Sequence, residues 1–315
     1  MWIRPRRLVV AASIIMDVTV RVDRWPERGG DRLARSGAAT PGGAFNLLAA
    51  ARRLDLPAAY GGLVGSGVFG QRILAAVRAL GVAVLAPPVP GDTGFDVAVV
   101  EDDGERTFIT CPGTEAHLSA DHLAALPLEP GDAVYISGYD LTYVESGAAL
   151  AAWVAALAEE VLLVFDPGPL VAEIPAAHRD TVLGRCDLLT LNRREAMLLG
   201  GTGTPGAAAA ALASRLARAG RVVVRDGAAG LAATDGQGGV IAVTGRPVRA
   251  VDTTGAGDVH TAALMARWAQ GAGWRRALWE ANVAASLAVE QEGPSASPTT
   301  RELETLLRTL ADERG

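Results

Sequence analysis

Short apolar runs alternate with helical segments along most of this chain of 315 residues. Residues 8–15 form a continuous apolar run of strand length, which is typical of a strand buried on both faces. Similar runs lie near residues 133–136, 161–165, 188–191 and 222–225, with helical segments between them. Parallel strands need such crossover connections, so the pattern predicts an α/β fold with a central, mostly parallel sheet flanked by helices.

Two stretches interrupt this alternation. Residues 17–23 alternate between apolar and polar side chains, which predicts a half-exposed strand. Residues 95–100 and 106–110 flank Asp102-Asp103-Gly104, a turn sequence, and therefore predict a hairpin. Together these stretches predict a small antiparallel sheet that stands off the main one. We assign this small sheet to two inserted segments, residues 17–36 and 92–111.

Composition excludes several classes of function. The net charge of −6 argues against a nucleic-acid or anionic membrane surface. The cysteines, Cys111 and Cys186, are far apart, and the four histidines lack the spacing of metal ligands. No apolar stretch is long and uniform enough to span a bilayer, and the first one is too short for a signal peptide. We therefore expect a cytoplasmic protein that binds neither nucleic acid nor membrane.

The chain contains no lysine, so all of its 29 basic residues are arginines. This excludes every mechanism that needs a lysine amine, including Schiff bases and the phosphate-binding P-loop. Any phosphate chemistry must rely on backbone amides, arginine and metal.

The segment Asp252-Thr253-Thr254-Gly255-Ala256-Gly257-Asp258 combines a glycine-rich turn with the start of an alanine-rich helix near Asp258. A short strand over residues 249–251 is expected to lead into it. Backbone N–H groups at a helix N-terminus converge on one spot and form an anion site. Asp258 is either a base beside a bound phosphate or an acid that complements the helix dipole. The segment alone leaves both interpretations open.

Two further groups of polar residues have both a structural and a functional interpretation. Asn192 and Glu195 form a variant of a helix capping box, or they hold a hydrated Mg²⁺ and its phosphates. Before another helix, Gly42 and Gly43 allow a ligand to approach the backbone, and Asn46 offers a donor and an acceptor.

A third candidate is Asp17, which we expect at the end of the first strand. Its carboxylate either binds sugar hydroxyls or caps the edge of the sheet.

The order of these features resembles the ribokinase/PfkB family of carbohydrate kinases, over about residues 7–312. The resemblance rests on Asp17, the Gly42-Gly43…Asn46 segment, the mid-chain hairpin, Asp166-Pro167-Gly168-Pro169, Asn192…Glu195 and, as its most specific part, Asp252 to Asp258. It implies a single ribokinase-like domain over residues 1–315 with a small β-sheet lid, through which subunits often pair as a homodimer. It also implies ATP-dependent transfer of the γ-phosphate to a hydroxyl of a sugar or sugar-like molecule, with Mg²⁺ and, in some members, K⁺. A nucleoside kinase of the same fold and a non-catalytic sugar-binding relative are the alternatives.

The resemblance also implies roles for individual residues. It implies catalysis for Asp258, as the base, and for Gly255, Ala256 and Gly257, as the anion hole. It implies acceptor binding for Asp17, Gly42, Gly43, Asn46 and Arg106, and nucleotide binding for Asn192, Thr254, Gly227 and Asn282. It implies metal binding for Glu195, which holds Mg²⁺ through water, and for Asp252, which holds K⁺. Three departures from ribokinase argue against ribose as the acceptor. Pro41 replaces the first glycine of the family's glycine pair, Gly43 replaces the lysine that follows it, and Ser137-Gly138-Tyr139-Asp140 stands where ribokinase has a ribose-binding glutamate.

Overall fold

The computed structural model describes residues 3–102, 106–216, 220–293 and 296–312. A nine-stranded sheet forms its centre, in the order β13-β12-β11-β10-β9-β8-β1-β4-β5. Its strands are β1 (Arg7–Val10), β4 (Ala58–Tyr60), β5 (Ala83–Val84), β8 (Asp132–Ser137), β9 (Leu162–Asp166), β10 (Leu188–Asn192), β11 (Arg221–Arg225), β12 (Gly230–Thr234) and β13 (Val240–Thr244). All neighbours pair in parallel except β11 with β12 and β12 with β13.

Helices cover both faces of this sheet. They are α1 (Ala44–Arg53), α2 (Val68–Ala79), α3 (Ala120–Ala124), α4 (Gly138–Thr142), α5 (Val144–Ala155), α6 (Ala176–Arg185), α7 (Arg193–Leu198), α8 (Pro205–Ala213), α9 (Ala256–Ala269), α10 (Trp274–Ala288) and α11 (Thr300–Asp312). Successive side chains of a strand point to opposite faces. Leu8 and Val10 therefore pack with α1, α9 and α10, whereas Val9 packs with α5, α6 and α8.

Four strands form a second, smaller sheet, which we name the lid. Its order is β3 (Ser36–Gly43), β2 (Ile14–Arg21), β6 (Phe95–Val100) and β7 (Arg106–Cys111). The hairpin strands agree with the prediction, although residues 103–105 of their turn lie outside the described residues. The lid was predicted to be antiparallel, and this is wrong for one pair of strands, because β2 pairs in parallel with β6. It is also longer than the predicted segments, since β2 begins at Ile14 and β3 continues to Gly43.

Two predicted boundaries near the expected site are wrong. Asp17 does not end the first core strand, because β1 stops at Val10 and Asp17 lies inside β2 of the lid. Residues 249–251 are not a strand. They pair with no strand in the described part of the chain, and the Val251 N–H donates instead to the Val289 carbonyl at the end of α10. Helix α9 begins at Ala256, two residues before the predicted start.

No helix in the described ranges is both long enough and apolar enough to cross a membrane.

Candidate active site

The parallel strands of the main sheet end in polar residues at one shared edge. Ser137 of β8 pairs with Asp166 of β9, and Asn192 of β10 pairs with Arg225 of β11. Ligands of open α/β sheets bind outside the carboxyl ends of the strands. Two adjoining cavities of about 470 and 380 Å³ lie here, and we name them the acceptor cavity and the nucleotide cavity. Asn192, Arg225 and Gly257 line both.

The first turn of α9 lies where the two cavities meet. Gly255 is its N-cap and adopts the left-handed conformation with φ of 74°, which is costly for residues with a Cβ. Ala256 lines the nucleotide cavity and Asp258 the acceptor cavity. The Ala256 N–H donates to the Thr253 carbonyl at 3.3 Å, a long bond that leaves the amide close to the junction. The N-terminus of α9 and the Asp258 carboxylate therefore lie together at the junction, and the anion site and the base stay predictions.

The environment of Asp258 suits a general base. Burial, together with nearby Asp166 and against the opposing effect of Arg225, raises the pKa of Asp258 to about 7. A catalytic base works best when its pKa lies near the working pH. An acid that merely complemented a helix dipole would gain from ionisation and would not need to be desolvated.

Arg225 is the central cation of the cleft. Its side chain is 15% exposed, and its guanidinium donates to Asp166 Oδ2 at 3.1 Å and to Thr190 Oγ1 at 2.8 Å. A Cβ on Gly257 would lie 3.3 Å from this guanidinium, a tight contact that would require Arg225 or the helix to shift slightly. Sequence analysis missed Arg225, although a charged residue that ends an apolar strand at the carboxyl edge was a usable signal.

Asn192 and Glu195 form the capping box that the sequence predicted. The Glu195 N–H donates to Asn192 Oδ1 at 2.9 Å, and the Asn192 N–H donates to Glu195 Oε2 at 2.8 Å. Glu195 is buried and also lines the acceptor cavity. Burial and the neighbouring Asp166 raise its pKa. The structural interpretation is thus correct, and it leaves the carboxylate fixed beside the junction.

The structure gives a packing reason for the glycine pair. A Cβ on Gly42 would overlap the carboxylate of Asp17. Gly43 has φ of 58°, and a Cβ on it would lie 2.8 Å from the Ser13 carbonyl oxygen. Asp17, Gly43 and Asn46 line the acceptor cavity, and burial together with Asp96 and Asp258 raises the pKa of Asp17 to about 7.

Several residues of the acceptor cavity were missed from the sequence. Asp140 is fully buried in α4 and accepts hydrogen bonds from both the backbone and the hydroxyl of Ser13, which ties the end of β1 to the cavity floor. Burial raises its pKa to about 7. Asp96, Tyr139 and Tyr143 line the cavity as well. The signal for Asp96 was an acid within the otherwise apolar strand Phe-Asp-Val-Ala-Val-Val.

Three of the four residues predicted to bind the nucleotide line the nucleotide cavity. They are Gly227, Asn282 and Asn192, and Asn192 also lines the acceptor cavity. Gly227 has φ of 55°, and a Cβ on it would meet open space. The Asn282 amide donates to the Thr244 carbonyl at 3.3 Å. Thr254 lies instead on the acceptor side of the junction.

Asp252 and Arg106 lie away from the junction. The carboxylate of Asp252 accepts from the Thr254 N–H at 2.9 Å and from the Gly293 N–H at 3.4 Å, so it joins two loops. Arg106 starts β7 opposite Val100, four strand positions from Thr110, which lines the acceptor cavity. The side chain of Arg106 lies outside the described residues.

No cluster of three or more His, Cys, Asp or Glu side chains that could hold a metal exists in the described ranges. Mg²⁺ in phosphoryl-transfer sites is bound by one or two carboxylates, water and phosphate oxygens and does not need such a cluster. The fixed carboxylate of Glu195 beside the junction therefore fits that mode of binding.

A cleft of this kind defines a class of enzyme. Backbone amides at a helix N-terminus, a desolvated carboxylate and two adjoining cavities suit phosphoryl transfer to a small alcohol, which depends on positioning and charge stabilisation. The family model described as pfkB family carbohydrate kinase matches residues 5–301. The chain therefore belongs to the pfkB family of carbohydrate kinases.

Individual relatives agree over nearly the whole chain. YegV, an uncharacterized sugar kinase of Escherichia coli, is 32% identical over 308 residues, which cover 94% of this chain and 92% of YegV. An ATP-dependent ribose-1-phosphate kinase of Halopiger xanaduensis is 30% identical, over 93% of this chain and 95% of the relative. An E. coli structure assigned as Ribokinase II, in complex with ATP and Mg²⁺, superposes with a TM-score of 0.80 at 25% identity, over 97% of this chain and 99% of that one. The predictions of a ribokinase-like fold, of the family and of an ATP-dependent sugar kinase are confirmed.

Proposed function

We propose that Asp258 is the general base of this kinase and that the amides of Gly255, Ala256 and Gly257 bind the transferring phosphoryl group. The observation that carries this proposal is the position of the first turn of α9 at the junction of the two cavities. The acceptor O–H bond breaks as the proton moves to the Asp258 carboxylate. The acceptor oxygen then bonds to the γ-phosphorus of ATP while the bond from that phosphorus to the β-phosphate oxygen breaks, and ADP leaves.

The phosphate end of the site depends on several residues besides Asp258. Asn192, with Gly227 and Asn282 further along the nucleotide cavity, contacts ATP, and Thr254 supports the turn at the junction. Glu195 holds Mg²⁺ through water, and this ion supplies charge neutralisation on the phosphates when it is bound. Arg225 keeps positive charge beside Asp258 and lowers its pKa, so that more of the base is ionised near neutral pH. Asp252 joins the two loops of the expected K⁺ region.

At the other end, Asp17 and Asn46 bind the acceptor hydroxyls. Gly42 leaves room for the carboxylate of Asp17, and Gly43 allows the backbone to turn into α1. The lid forms the dimer interface, and the exposure of Phe108 and Ile109 on its outer strand β7 supports this assignment, because apolar side chains on a sheet edge favour pairing with another chain.

A nucleoside kinase is the second candidate, and one observation favours it. Phe108, Tyr139 and Tyr143 line the acceptor cavity and offer aromatic surface on which a base can stack. Trp25, Phe45 and Phe95 are not part of the described lining of this cavity.

The deciding experiment is a coupled assay of ADP release over a panel of sugars and nucleosides, with and without K⁺. Release that requires a sugar and is absent with nucleosides supports the first proposal. A higher kcat/KM with a nucleoside supports the second. Acceptor-dependent release of any kind excludes a non-catalytic sugar-binding protein.

A further inference from the structure

The acceptor cavity contains a second lid carboxylate, Asp96, for which the phosphoryl-transfer scheme has no use. Asp96 lies on β6 directly beside Asp17 of β2 in the parallel register, and Thr110 of β7 is its partner on the other side. Asp17, Asp96 and Thr110 all line the acceptor cavity. Three neighbouring strands of the lid therefore present a row of oxygen-bearing side chains to the acceptor.

Asp96 is buried without the partners that a buried carboxylate needs. The residue is 8% exposed, and its Oδ1 has no hydrogen-bond partner among the described residues. Burial raises its pKa to about 6, so the group is ionised at pH 8. A buried acceptor atom without a donor is costly, and native proteins retain such atoms chiefly where a ligand or water supplies the donor. Because Asp96 lines the cavity, the missing donor belongs to the bound acceptor.

The charge around the acceptor position is strongly negative. Asp17, Asp96, Asp140 and Asp258 are all in the lining of the cavity. The basic residue of that lining is Arg225, and it already donates to Asp166, Thr190 and Thr261. A phosphate or carboxylate group on the acceptor would have to enter among these carboxylates without a free cation from the described lining. Like charges brought together in this way cost several kcal/mol.

Resting on the proposed kinase function, we propose that Asp96 binds an acceptor hydroxyl beside Asp17 and that the pair selects an uncharged polyol over acceptors that carry phosphate or carboxylate. Two adjacent carboxylates accept hydrogen bonds from two or more hydroxyls of one molecule, which suits a sugar with neighbouring hydroxyl groups. The same pair repels an anionic group at that end. The H. xanaduensis relative, by contrast, is named as a kinase of a phosphorylated acceptor, ribose 1-phosphate.

The backbone of Arg106, the residue that starts β7, lies at a distance from this place in the lid. It stands four strand positions from Thr110, roughly 13 Å along the strand. An acceptor held by Asp17 and Asp96 would have to extend over that distance to place an anion beside the start of β7.

The test compares charged and uncharged acceptors in the wild type and in Asp96→Asn at pH 8. The probes are D-ribose, D-fructose and D-glucose as uncharged acceptors, and ribose 1-phosphate, ribose 5-phosphate and D-gluconate as anionic ones. In the wild type, kcat/KM for the best uncharged acceptor should exceed that for every anionic one. In Asp96→Asn, KM for that acceptor should rise about ten-fold, because a hydrogen bond to a charged carboxylate is replaced by a weaker one to a neutral amide, while kcat changes less than three-fold.

Asp102→Asn is the matched control, since it makes the same change on an exposed acid of the lid that pairs with Arg35 outside the cavity. It should leave KM unchanged. The wild-type comparison between charged and uncharged acceptors does not depend on the folding of any variant. A higher wild-type kcat/KM with a phosphorylated or carboxylated acceptor overturns the selectivity, yet the ADP released would still establish the kinase. A KM that stays within two-fold in Asp96→Asn, or a loss confined to kcat, overturns the role of Asp96 in binding.

Discussion

The two ends of the cleft are built in different ways. The turn at the phosphate end is local, because Gly255, Ala256, Gly257 and Asp258 follow one another at the start of one helix. The acceptor end is assembled from separate parts of the chain, with Asp17 and Asp96 on the lid, Asn46 on α1 and Tyr139 on α4.

This difference separates the reaction from its acceptor. Backbone amides do the same work whatever side chains surround them, so a short turn is enough to fix the chemistry of phosphoryl transfer. Side chains from several elements can change one at a time, so the acceptor end is free to vary while the reaction stays the same. Four predictions, in order of decreasing effect, test whether the two ends are independent.

The largest effect is expected for Asp258→Asn. Loss of the base should lower kcat by about 1,000-fold or more with little change in KM. The pKa of Asp258 is raised from 3.8 to about 7 in the folded state, so stability falls as pH rises from about 4 to about 7, and the loss is complete at pH 8. The variant should therefore melt at or above the wild-type temperature at pH 8.

Asp121→Asn is the control for that variant, because Asp121 lies in the first turn of α3 and is exposed. This substitution removes an acid that can complement a helix dipole but that lies outside the active site. The kcat of the variant should therefore equal that of the wild type. Activity of Asp258→Asn at the wild-type rate would show that the carboxylate is only a capping acid.

The second prediction concerns pH. With a pKa of about 7 for Asp258, kcat at saturating acceptor should rise with pH up to about 7 and fall about ten-fold for each pH unit below it, because the base must be deprotonated. The pKa of Asp17 is also raised to about 7. The profile of kcat/KM should therefore fall more steeply than that of kcat, since both ends of the cleft must ionise. Parallel profiles would mean that Asp17 does not need its charge.

The third prediction is a loss of about ten-fold or more in kcat for Gly257→Ala. The new Cβ would press on the guanidinium of Arg225 at 3.3 Å and displace the amides from the phosphoryl group. Gly273→Ala makes the same change at the N-cap of α10, where a Cβ has no neighbour within 4 Å, and should behave as wild type. Equal kcat values for the two variants would show that Arg225 accommodates the Cβ and that the turn keeps its position.

The smallest effect is expected for Gly42→Ala. Its Cβ would overlap the carboxylate of Asp17 and force it to move, so KM for the acceptor should rise several-fold while kcat stays within about two-fold. In an Asp17→Ala background, the same substitution should have a much smaller effect on KM, because the clash is absent. Additive effects of the two substitutions would contradict this explanation of the glycine.

The phosphate end could be predicted from the sequence because its parts are neighbours along the chain. The turn around Gly255 and the capping box of Asn192 and Glu195 each lie within seven residues, and local rules determine them. Helix α1 and the hairpin strands β6 and β7 were likewise found from periodicity and turn chemistry.

The acceptor end could not be predicted in the same way, because long-range pairing decides it. Asp96 lies directly beside Asp17 because β6 pairs in parallel with β2 in the observed register, whereas the sequence pattern predicted an antiparallel lid. Asp17 was misplaced at the end of β1 because the apolar run over residues 8–15 hid the break between β1 and β2. Arg225 was missed because its contacts with Asp166 and Gly257 join positions that are far apart in the chain.

The lid has a consequence for protein engineering. Its four strands occupy only two stretches of the chain, β2 with β3 and β6 with β7, and they bring Asp17, Asp96 and Thr110 as one prearranged unit. Transplanting those two stretches into a related kinase is therefore a compact exchange that leaves the Gly255–Asp258 turn of the recipient untouched. The lid part of the acceptor end can thus be exchanged separately from this turn, whereas Asn46 and Tyr139 of the acceptor cavity stay with the recipient's scaffold.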